Sequence, residues 1–365
     1  MSTGQPDLAL AYEATMLERT FVSFLDATGV LATEKMGQHI VDWMPDGSES
    51  DQTVARGEFT ASAHMSVSNA FAAQGLHLLA TMLAAGGRNG NASAIAAQAA
   101  ALTAGIQARM WNGSNFCDGI CSEVGGNSRV MSNMFFLALG LVPAAGVADA
   151  WGVVTDWGLQ QMGDYGAFYY QLALAGSYYT GAPPYDTPDD GTAMVTALAK
   201  CDQSSWCSGL LEDNLTMTRE SWHAGTYSHG WGSSAIVGVS LGVMGVHQTA
   251  PGWAAFTVKP KLGPLTHASI TVPTLRGYIN VTVPAAAAAG AGEVHVQVPC
   301  SCRATLCSPR SALDGSSPLR TALTHTLLLD GQPVPFTAAA GHLCTAEPVG
   351  CGAGGAHRIV RAQPK

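Results

Sequence analysis

Up to about Pro251, hydrophobic residues recur at helical spacing and are separated by glycine-rich turns. In the clearest segment one apolar face carries Met65, Phe71, Leu76, Leu79 and Leu83, and Gly86-Gly87 ends it. The pattern predicts helices over residues 8–26, 59–86, 93–111, 129–141, 146–162, 167–180, 191–201 and 230–246. Short connections between them predict antiparallel helical hairpins.

After Pro251 the pattern changes to short alternating segments rich in Val, Ile and Thr. Strands are predicted in AAFTVKP, ASITVP, GYINVTVP, EVHVQVP and HTLLLDGQPV. Asp330-Gly331 is a strong signal for a hairpin turn, and the Ala/Gly run of 285–292 is expected to be a surface loop. The sequence therefore predicts a helical domain over residues 1–250 and an all-β sandwich over residues 251–365.

Composition narrows the classes of function. The chain of 365 residues is 47% hydrophobic and 12% charged, which suits a folded chain that can hold two domains. A net charge of −9 disfavours nucleic acid as a partner. The longest apolar run, from Ser233 to Val246, is too short to span a membrane and is interpreted as a buried helix.

The nine cysteines lie close together in sequence, as Cys117/Cys121, Cys201/Cys207, Cys300/Cys302/Cys307 and Cys344/Cys351. These spacings favour small loop-closing disulfides over a metal site, with one cysteine left over. Sequons at Asn91, Asn112, Asn214 and Asn280 agree with a secreted or lumenal protein. Because no signal peptide is visible, we expect the natural N-terminus to lie upstream of Met1.

Polar and aromatic residues with functional character lie between the predicted helices, at Asp42-Trp43, Asp164-Tyr165 and from Glu220 to Trp231. No phosphate-binding loop, serine nucleophile motif or zinc spacing is present. The acidic segment with Glu49, Asp51 and Glu58 is interpreted as a solvated loop rather than a metal site. No metal and no cofactor are predicted.

Three stretches resemble glycoside hydrolase family 78, the α-L-rhamnosidases. HIVDWMPD at 39–46 is similar to the family's Gly-Asp-Trp loop. TMTRESW at 216–222, with the following YSHGWGSSAIVGVSLGVMGV, resembles its Thr-Thr-x-Trp-Glu-x-Trp segment and the helix after it. APGWAAFTVKPKL at 250–262 resembles the passage into its C-terminal sandwich.

The resemblance implies an (α/α)6 six-hairpin toroid followed by a β-sandwich, and an inverting hydrolase that releases terminal α-L-rhamnose. Fewer helices than the toroid's twelve are predicted, and the family's upstream Asp-x-Pro-Gln-Arg-Asp-Glu motif, which carries the general acid, is absent. We therefore expect an N-terminally truncated toroid that keeps the base side of its site and lacks the acid side.

Glu220 matches the family's catalytic base; the alternative is a solvated loop carboxylate paired with Arg219. By the same resemblance His229 would hydrogen-bond a sugar hydroxyl, although a helix cap is equally plausible. Asp42 and Trp43 would bind sugar unless they only shape a turn before Pro45. Trp222 is assigned to sugar contact and Trp231 to packing, while Trp157, Tyr165 and Phe168 are expected to be core residues more than pocket residues.

Three functions stay open at this point. The first is an α-L-rhamnosidase-like hydrolase acting on a carbohydrate substrate. The second is a non-catalytic saccharide-binding fragment without a general acid. The third is another six-hairpin glycosidase with a different sugar, because this architecture recurs among families. The oligomeric state is left open.

Overall fold

The computed structural model describes residues 6–17, 22–33, 62–176, 185, 187, 189, 191–202, 204–212, 214–222, 225–285, 292–308, 326–339, 342–352 and 354–362. The chain forms two compact units. One comprises Gln5–Tyr185 and Lys200–Ser234, here called the helical unit. The other comprises Met1–Gly4, Asp186–Ala199 and Ala235–Lys365, here called the sheet unit. The domain boundary after residue 250 stays a prediction, since these units divide the chain differently.

Apolar faces at helical spacing build the helical unit. Its helices are α1 (Asp7–Ala11), α2 (Glu13–Met16), α3 (Ser66–Ala85), α4 (Asn89–Met110), α5 (Val130–Ala138), α6 (Val147–Trp157), α7 (Asp164–Ala175) and α9 (Trp206–Glu212). Helix α8 (Thr192–Ala199) belongs to the sheet unit. Short 3-10 turns cover Val22–Phe24, Ala144–Gly146, Gly158–Gln161 and Gly230–Ser234.

Helices α3 and α4 pack against each other as a hairpin. Leu76, Leu79 and Leu83 of α3 are buried, and α3 ends before Gly86-Gly87 as predicted. Phe116 stacks on Phe136 of α5 with ring centroids 3.7 Å apart. The helix predicted over 8–26 is wrong as one element, because it is broken into α1, α2 and a 3-10 turn in the described residues.

His64 ties three parts of the helical unit together. Its Nε2 lies 2.9 Å from Asp26 and its Nδ1 lies 2.9 Å from Glu123. Asn69 of α3 adds a link, because its side-chain oxygen accepts a 2.7 Å hydrogen bond from the Leu31 amide. Residues 22–33 are thereby fixed against the start of α3.

The sheet unit contains α8 (Thr192–Ala199), the three-residue α10 (Ala235–Val237) and a π-helical turn over Gly238–Val243. The helix predicted over 230–246 forms as consecutive 3-10, α and π-helical turns from Gly230 to Val243, so it is not one regular α-helix. Glycines at 230, 232, 238, 242 and 245 lower helix propensity there. Gly245 ends the turn in the left-handed region, at φ +61°.

The strands are β1 (Val246–Gln248), β2 (Ala255–Val258), β3 (Ala268–Thr274), β4 (Gly277–Val283), β5 (Glu293–Gln297), β6 (Arg303–Leu306), β7 (Thr326–Leu329), β8 (Gln332–Pro333), β9 (Phe336–Ala339), β10 (His342–Thr345) and β11 (Ala356–Ala362). They form sheets in the orders β3-β4-β5-β11-β7-β8, β1-β2-β6 and β10-β9. Alternate side chains of the largest sheet, such as Val281, Val296 and Ile359, are buried.

The predicted hairpin at Asp330-Gly331 is confirmed. It joins the antiparallel strands β7 and β8, with Leu329 opposite Gln332. Both turn residues have positive φ, +52° for Asp330 and +83° for Gly331, which is the backbone of a type I′ turn. The Asp330 carboxylate also accepts a 2.8 Å hydrogen bond from the Arg358 amide of β11. Most of the predicted loop over 285–292 lies outside the described residues.

Four disulfides are present in the described residues. Cys117–Cys121 and Cys201–Cys207 close short loops as predicted. The expectation that the remaining bonds also join sequence neighbours is wrong, because the pairs are Cys300–Cys351 and Cys307–Cys344. Sheet pairing explains this, since Cys307 lies opposite Cys344 in an antiparallel bridge. Cys302 is buried with a free thiol.

Removing the Cys300–Cys351 disulfide is expected to destabilise the sheet unit more than removing Cys117–Cys121 destabilises the helical unit. Chain entropy gives a loss of about 3 kcal/mol for Cys300→Ser/Cys351→Ser, because with Cys307–Cys344 intact this bond closes an effective loop of about 15 residues. The matched control Cys117→Ser/Cys121→Ser opens a separation of 4 and should lose about 2 kcal/mol. Denaturant unfolding of each variant measures both values, and equal losses would contradict the entropic account.

Candidate active site

Residues 218–222 and 225–229 of the helical unit pair in antiparallel fashion, in a hairpin that carries Glu220. Arg219 pairs with Tyr227, and the Glu220 amide donates a 3.1 Å hydrogen bond to the Thr226 carbonyl. Gly225 has φ +88°, and a Cβ there would lie 2.5 Å from the Glu220 Cβ. The turn therefore requires glycine at this position.

The Glu220 carboxylate is held by donors from the opposite side of this hairpin. Its Oε2 accepts hydrogen bonds from the Thr226 amide and the Thr226 hydroxyl, both at 3.0 Å. His229 Nδ1 lies 3.9 Å from the same oxygen. The Thr226 amide, then its hydroxyl, then the charge of His229 lower the pKa of Glu220. The group is thus held ionised, with about 34% of its side chain exposed.

Thr226 connects Glu220 to His229. The Thr226 hydroxyl donates its one proton to Glu220, so its oxygen accepts the 2.9 Å hydrogen bond from His229 Nδ1–H. In a neutral imidazole this leaves Nε2 as a hydrogen-bond acceptor. The hairpin therefore sets the orientation of His229 beside the carboxylate.

A pocket of about 190 Å³ lies next to this hairpin, within the helical unit. Its walls include Asp164, Trp206, Leu215, Thr218, Arg219 and Trp222. Glu220 itself does not line this pocket, whereas the residues on both sides of it, Arg219 and Ser221, do. The predicted base therefore stands beside the pocket.

Two tryptophans form one wall of the pocket and are fixed by hydrogen bonds. Trp206 Nε1 donates to the Gly232 carbonyl and Trp222 Nε1 donates to the Met162 carbonyl, each at 2.8 Å. Their rings pack edge to face with centroids 5.2 Å apart. Trp222 is only 5% exposed. It supports the wall, and its contact with sugar stays a prediction.

Trp231 was assigned to packing, yet it is 37% exposed. Its ring lies 4.7 Å from the His229 ring and 4.8 Å from Tyr165. Together these three side chains form an aromatic surface next to Glu220. Phe168 packs edge to face on Tyr169.

Asp164, the first residue of α7, was predicted to have functional character together with Tyr165 but was given no specific role. It lines the pocket, is 2% exposed, and its buried Oδ1 has no hydrogen-bond partner among the described residues. Burial raises its pKa to about 7, its own backbone N–H opposes the shift, and the charge of Glu220 adds to it. The available signal was a carboxylate at the start of the otherwise uncharged helix DYGAFYYQLALA.

Several predicted residues lie outside the described ranges, namely Asp42 and Trp43 together with Glu49, Asp51 and Glu58, and so does the side chain of Trp157. In the ranges that are described, no group of acidic, His and Cys side chains is arranged to hold a metal ion. Nor does any helix there have the length and apolar character needed to cross a membrane.

Comparison with known proteins supports the predicted resemblance. Residues 245–321 match the model of the bacterial alpha-L-rhamnosidase C-terminal domain. No curated protein sequence matches the chain.

Solved structures share the fold over nearly the whole chain. The alpha-L-rhamnosidase from Dictyoglumus thermophilum superposes with a TM-score of 0.70 at 14% identity, over 99% of this chain and 38% of that one. The Streptomyces avermitilis alpha-L-rhamnosidase complexed with L-rhamnose gives 0.65 at 16%, over 98% and 31%. The GH78 family rhamnosidase of Bacillus sp. GL1 gives 0.57 at 20%, over 77% and 29%. The chain thus spans about a third of the length of these proteins.

Asp164→Asn is expected to change how stability depends on pH. Because the folded-state pKa of about 7 lies above the ordinary 3.8, the folded chain binds the extra proton between these values. The stability of the wild type therefore falls as pH rises through this window. Asn mimics the neutral carboxyl, so the melting temperature of the variant should fall less from pH 4 to pH 8.

The matched control for this measurement is Asp149→Asn, which changes an exposed aspartate of α6. Its melting curve across pH should run parallel to that of the wild type. A parallel curve for Asp164→Asn would show that Asp164 ionises normally.

Proposed function

We propose that the chain is part of a glycoside hydrolase of the α-L-rhamnosidase kind, which removes terminal α-L-rhamnose from glycosides or polysaccharides with inversion. The observation that carries the proposal is the ionised Glu220, held by Thr226 and His229 beside a tryptophan-walled pocket. The family match and the shared fold support a role for this carboxylate in a glycosidase. The helical unit would form part of a six-hairpin toroid, and the sheet unit would include the C-terminal sandwich.

Inverting hydrolysis needs a carboxylate that removes a proton from the attacking water. Glu220 suits this role because its donors keep it ionised, while its remaining exposure leaves an oxygen accessible to water. The donors also fix the carboxylate in space, which lowers the entropic cost of positioning the water. Activation of this kind contributes about 10²–10⁴-fold to rate.

The aromatic surface of Tyr165, His229 and Trp231 is proposed to bind the sugar. The exposed face of Trp231 suits the apolar C–H face of a pyranose, and His229 Nε2 is proposed to hydrogen-bond a sugar hydroxyl. Asp42 and Trp43 remain proposed sugar-binding residues.

A secreted or lumenal location is proposed from the disulfides, which persist in oxidising compartments. The sequon residues Asn91, Asn112 and Asn214 are exposed, as a glycosylated asparagine must be.

Glu220→Gln is expected to lower hydrolysis of an aryl α-L-rhamnoside by about 10²–10⁴-fold while sugar binding persists. The glutamine keeps the shape of the side chain but cannot accept the proton. Release of the aryl group and calorimetric titration of L-rhamnose measure the two properties. Glu347→Gln, an exposed substitution in the sheet unit, is the control.

Two outcomes would count against this proposal. Sugar binding without hydrolysis in the wild type would favour the saccharide-binding alternative. Faster hydrolysis of another member of an aryl glycoside panel would reassign the sugar.

Thr226→Val tests how Glu220 is kept ionised. Losing the hydroxyl donor should raise the pKa of Glu220, so the acidic limb of the kcat/KM profile should move to higher pH. Thr155→Val removes a hydroxyl that bonds only within α6 and should leave the limb in place. An unmoved limb in Thr226→Val would mean that Glu220 does not govern it.

A further inference from the structure

His64 has a carboxylate at each of its two ring nitrogens. Nε2 lies 2.9 Å from Asp26 Oδ2, and Nδ1 lies 2.9 Å from Glu123 Oε1 and 3.1 Å from Glu123 Oε2. The residue is 8% exposed, so solvent has little access to the ring. None of these three side chains takes part in the hydrolysis proposed above.

The geometry around His64 selects the charged form of the imidazole. A neutral imidazole has one N–H and can donate to one carboxylate only, so its other nitrogen would turn a lone pair toward the second carboxylate. The imidazolium has an N–H at both nitrogens and can donate to Asp26 and Glu123 together. Hydrogen bonds between ionised partners are roughly twice as strong as neutral ones.

The charges around His64 act in the same direction. Burial alone would lower the pKa of His64, but the hydrogen bonds to Asp26 and Glu123 and their negative charges outweigh it and raise the pKa above the ordinary 6.5. The hydrogen bond with His64 is in turn the largest influence that lowers the pKa of Asp26 to about 2. The other charged groups of the adjoining loop and helix, Asp118 and Arg129, lie 4.0 Å from each other.

The three side chains come from separate parts of the chain, and further hydrogen bonds join the first two of these parts. The Thr33 hydroxyl donates to the Ala63 carbonyl at 3.1 Å, across 30 positions of sequence, and accepts from the Met65 amide at 2.8 Å. The Leu31 amide donates to the side chain of Asn69 at 2.7 Å. None of these contacts involves a group that titrates near neutral pH, so the ion pairs supply the pH dependence of this junction.

We propose that His64 is a pH-sensitive clamp, which holds residues 26–33 and the loop of Glu123 on the start of α3 while the imidazole is protonated and weakens when the proton passes to solvent. The neutral ring keeps one carboxylate partner, and Glu123, whose side chain is 35% exposed against 25% for Asp26, turns to water.

The direction of the pH dependence follows from the raised pKa of His64. The stability that the clamp contributes is fully present below the ordinary value of 6.5 and is lost as pH rises through the folded-state pKa. This part of the helical unit is therefore held most firmly in acidic surroundings. The inference does not depend on the proposed function.

Proton NMR of the histidine rings in the full chain tests the protonation of His64 directly. His64 should titrate at higher pH than His77, an exposed histidine of α3. Glu123→Gln removes one negative charge, so it should lower the midpoint of His64 and leave that of His77 in place. A His64 midpoint at or below that of His77 would overturn the proposal.

Hydrogen exchange at the Leu31 and Met65 amides tests whether titration loosens the junction. Between pH 5 and pH 9 their protection, corrected for the intrinsic exchange rate, should fall by about 10-fold or more, as for the loss of one hydrogen bond between charged groups. Because Asp164 titrates in the same range, the wild type is compared at each pH with His64→Gln, in which the fall should be smaller by that factor.

His77→Gln is the matched control on the same helix and should behave as the wild type. An equal fall in His64→Gln and in the wild type would reject the clamp. If His64→Gln does not fold, Glu123→Gln takes its place in the comparison, since it changes an exposed residue.

Discussion

The antiparallel pairing of residues 218–220 with residues 226–229 is the constraint on which the site depends. This hairpin brings Thr226 over Glu220, orients His229 through the Thr226 hydroxyl, and carries Arg219 on the pocket wall. Two positions at this hairpin must be glycine, because a side chain there would collide with its neighbours. Gly225 faces the Glu220 Cβ, and a Cβ on Gly232 would lie 2.6 Å from the Arg219 carbonyl. The glycines of this segment therefore set the geometry of the carboxylate as much as the polar residues do.

The two acidic groups of this site, Glu220 and Asp164, lie in different environments. Glu220 has donors and partial exposure, so its charge is stabilised. Asp164, which lines the pocket, is 2% exposed and its Oδ1 has no hydrogen-bond partner among the described residues, so its charge is disfavoured. The negative charge of Glu220 increases this difference in pKa, because it makes ionisation of Asp164 less favourable.

The sequence predicted most of the helices, strands and turns that depend on the residues within them. The long helix α3, ended by Gly86-Gly87, and the turn at Asp330-Gly331 depend on local propensity and periodicity. Features set by distant partners were missed. Cys307 pairs with Cys344 because strands bring them together, and α9 and β11 carry no clear local signal. The sequence marked Asp164 as functional in character but could not predict its raised pKa, which depends on burial that only the folded chain reveals.

The free thiol of Cys302 has a consequence for biosynthesis. Cys302 lies two positions from Cys300 and five from Cys307, so during oxidative folding it competes with both for Cys344 and Cys351. Once the sheet closes, burial raises the pKa of the Cys302 thiol and removes it from thiolate exchange. The native pairs of Cys300 and Cys307 are therefore protected from exchange with Cys302 only when the sheet is folded around this thiol.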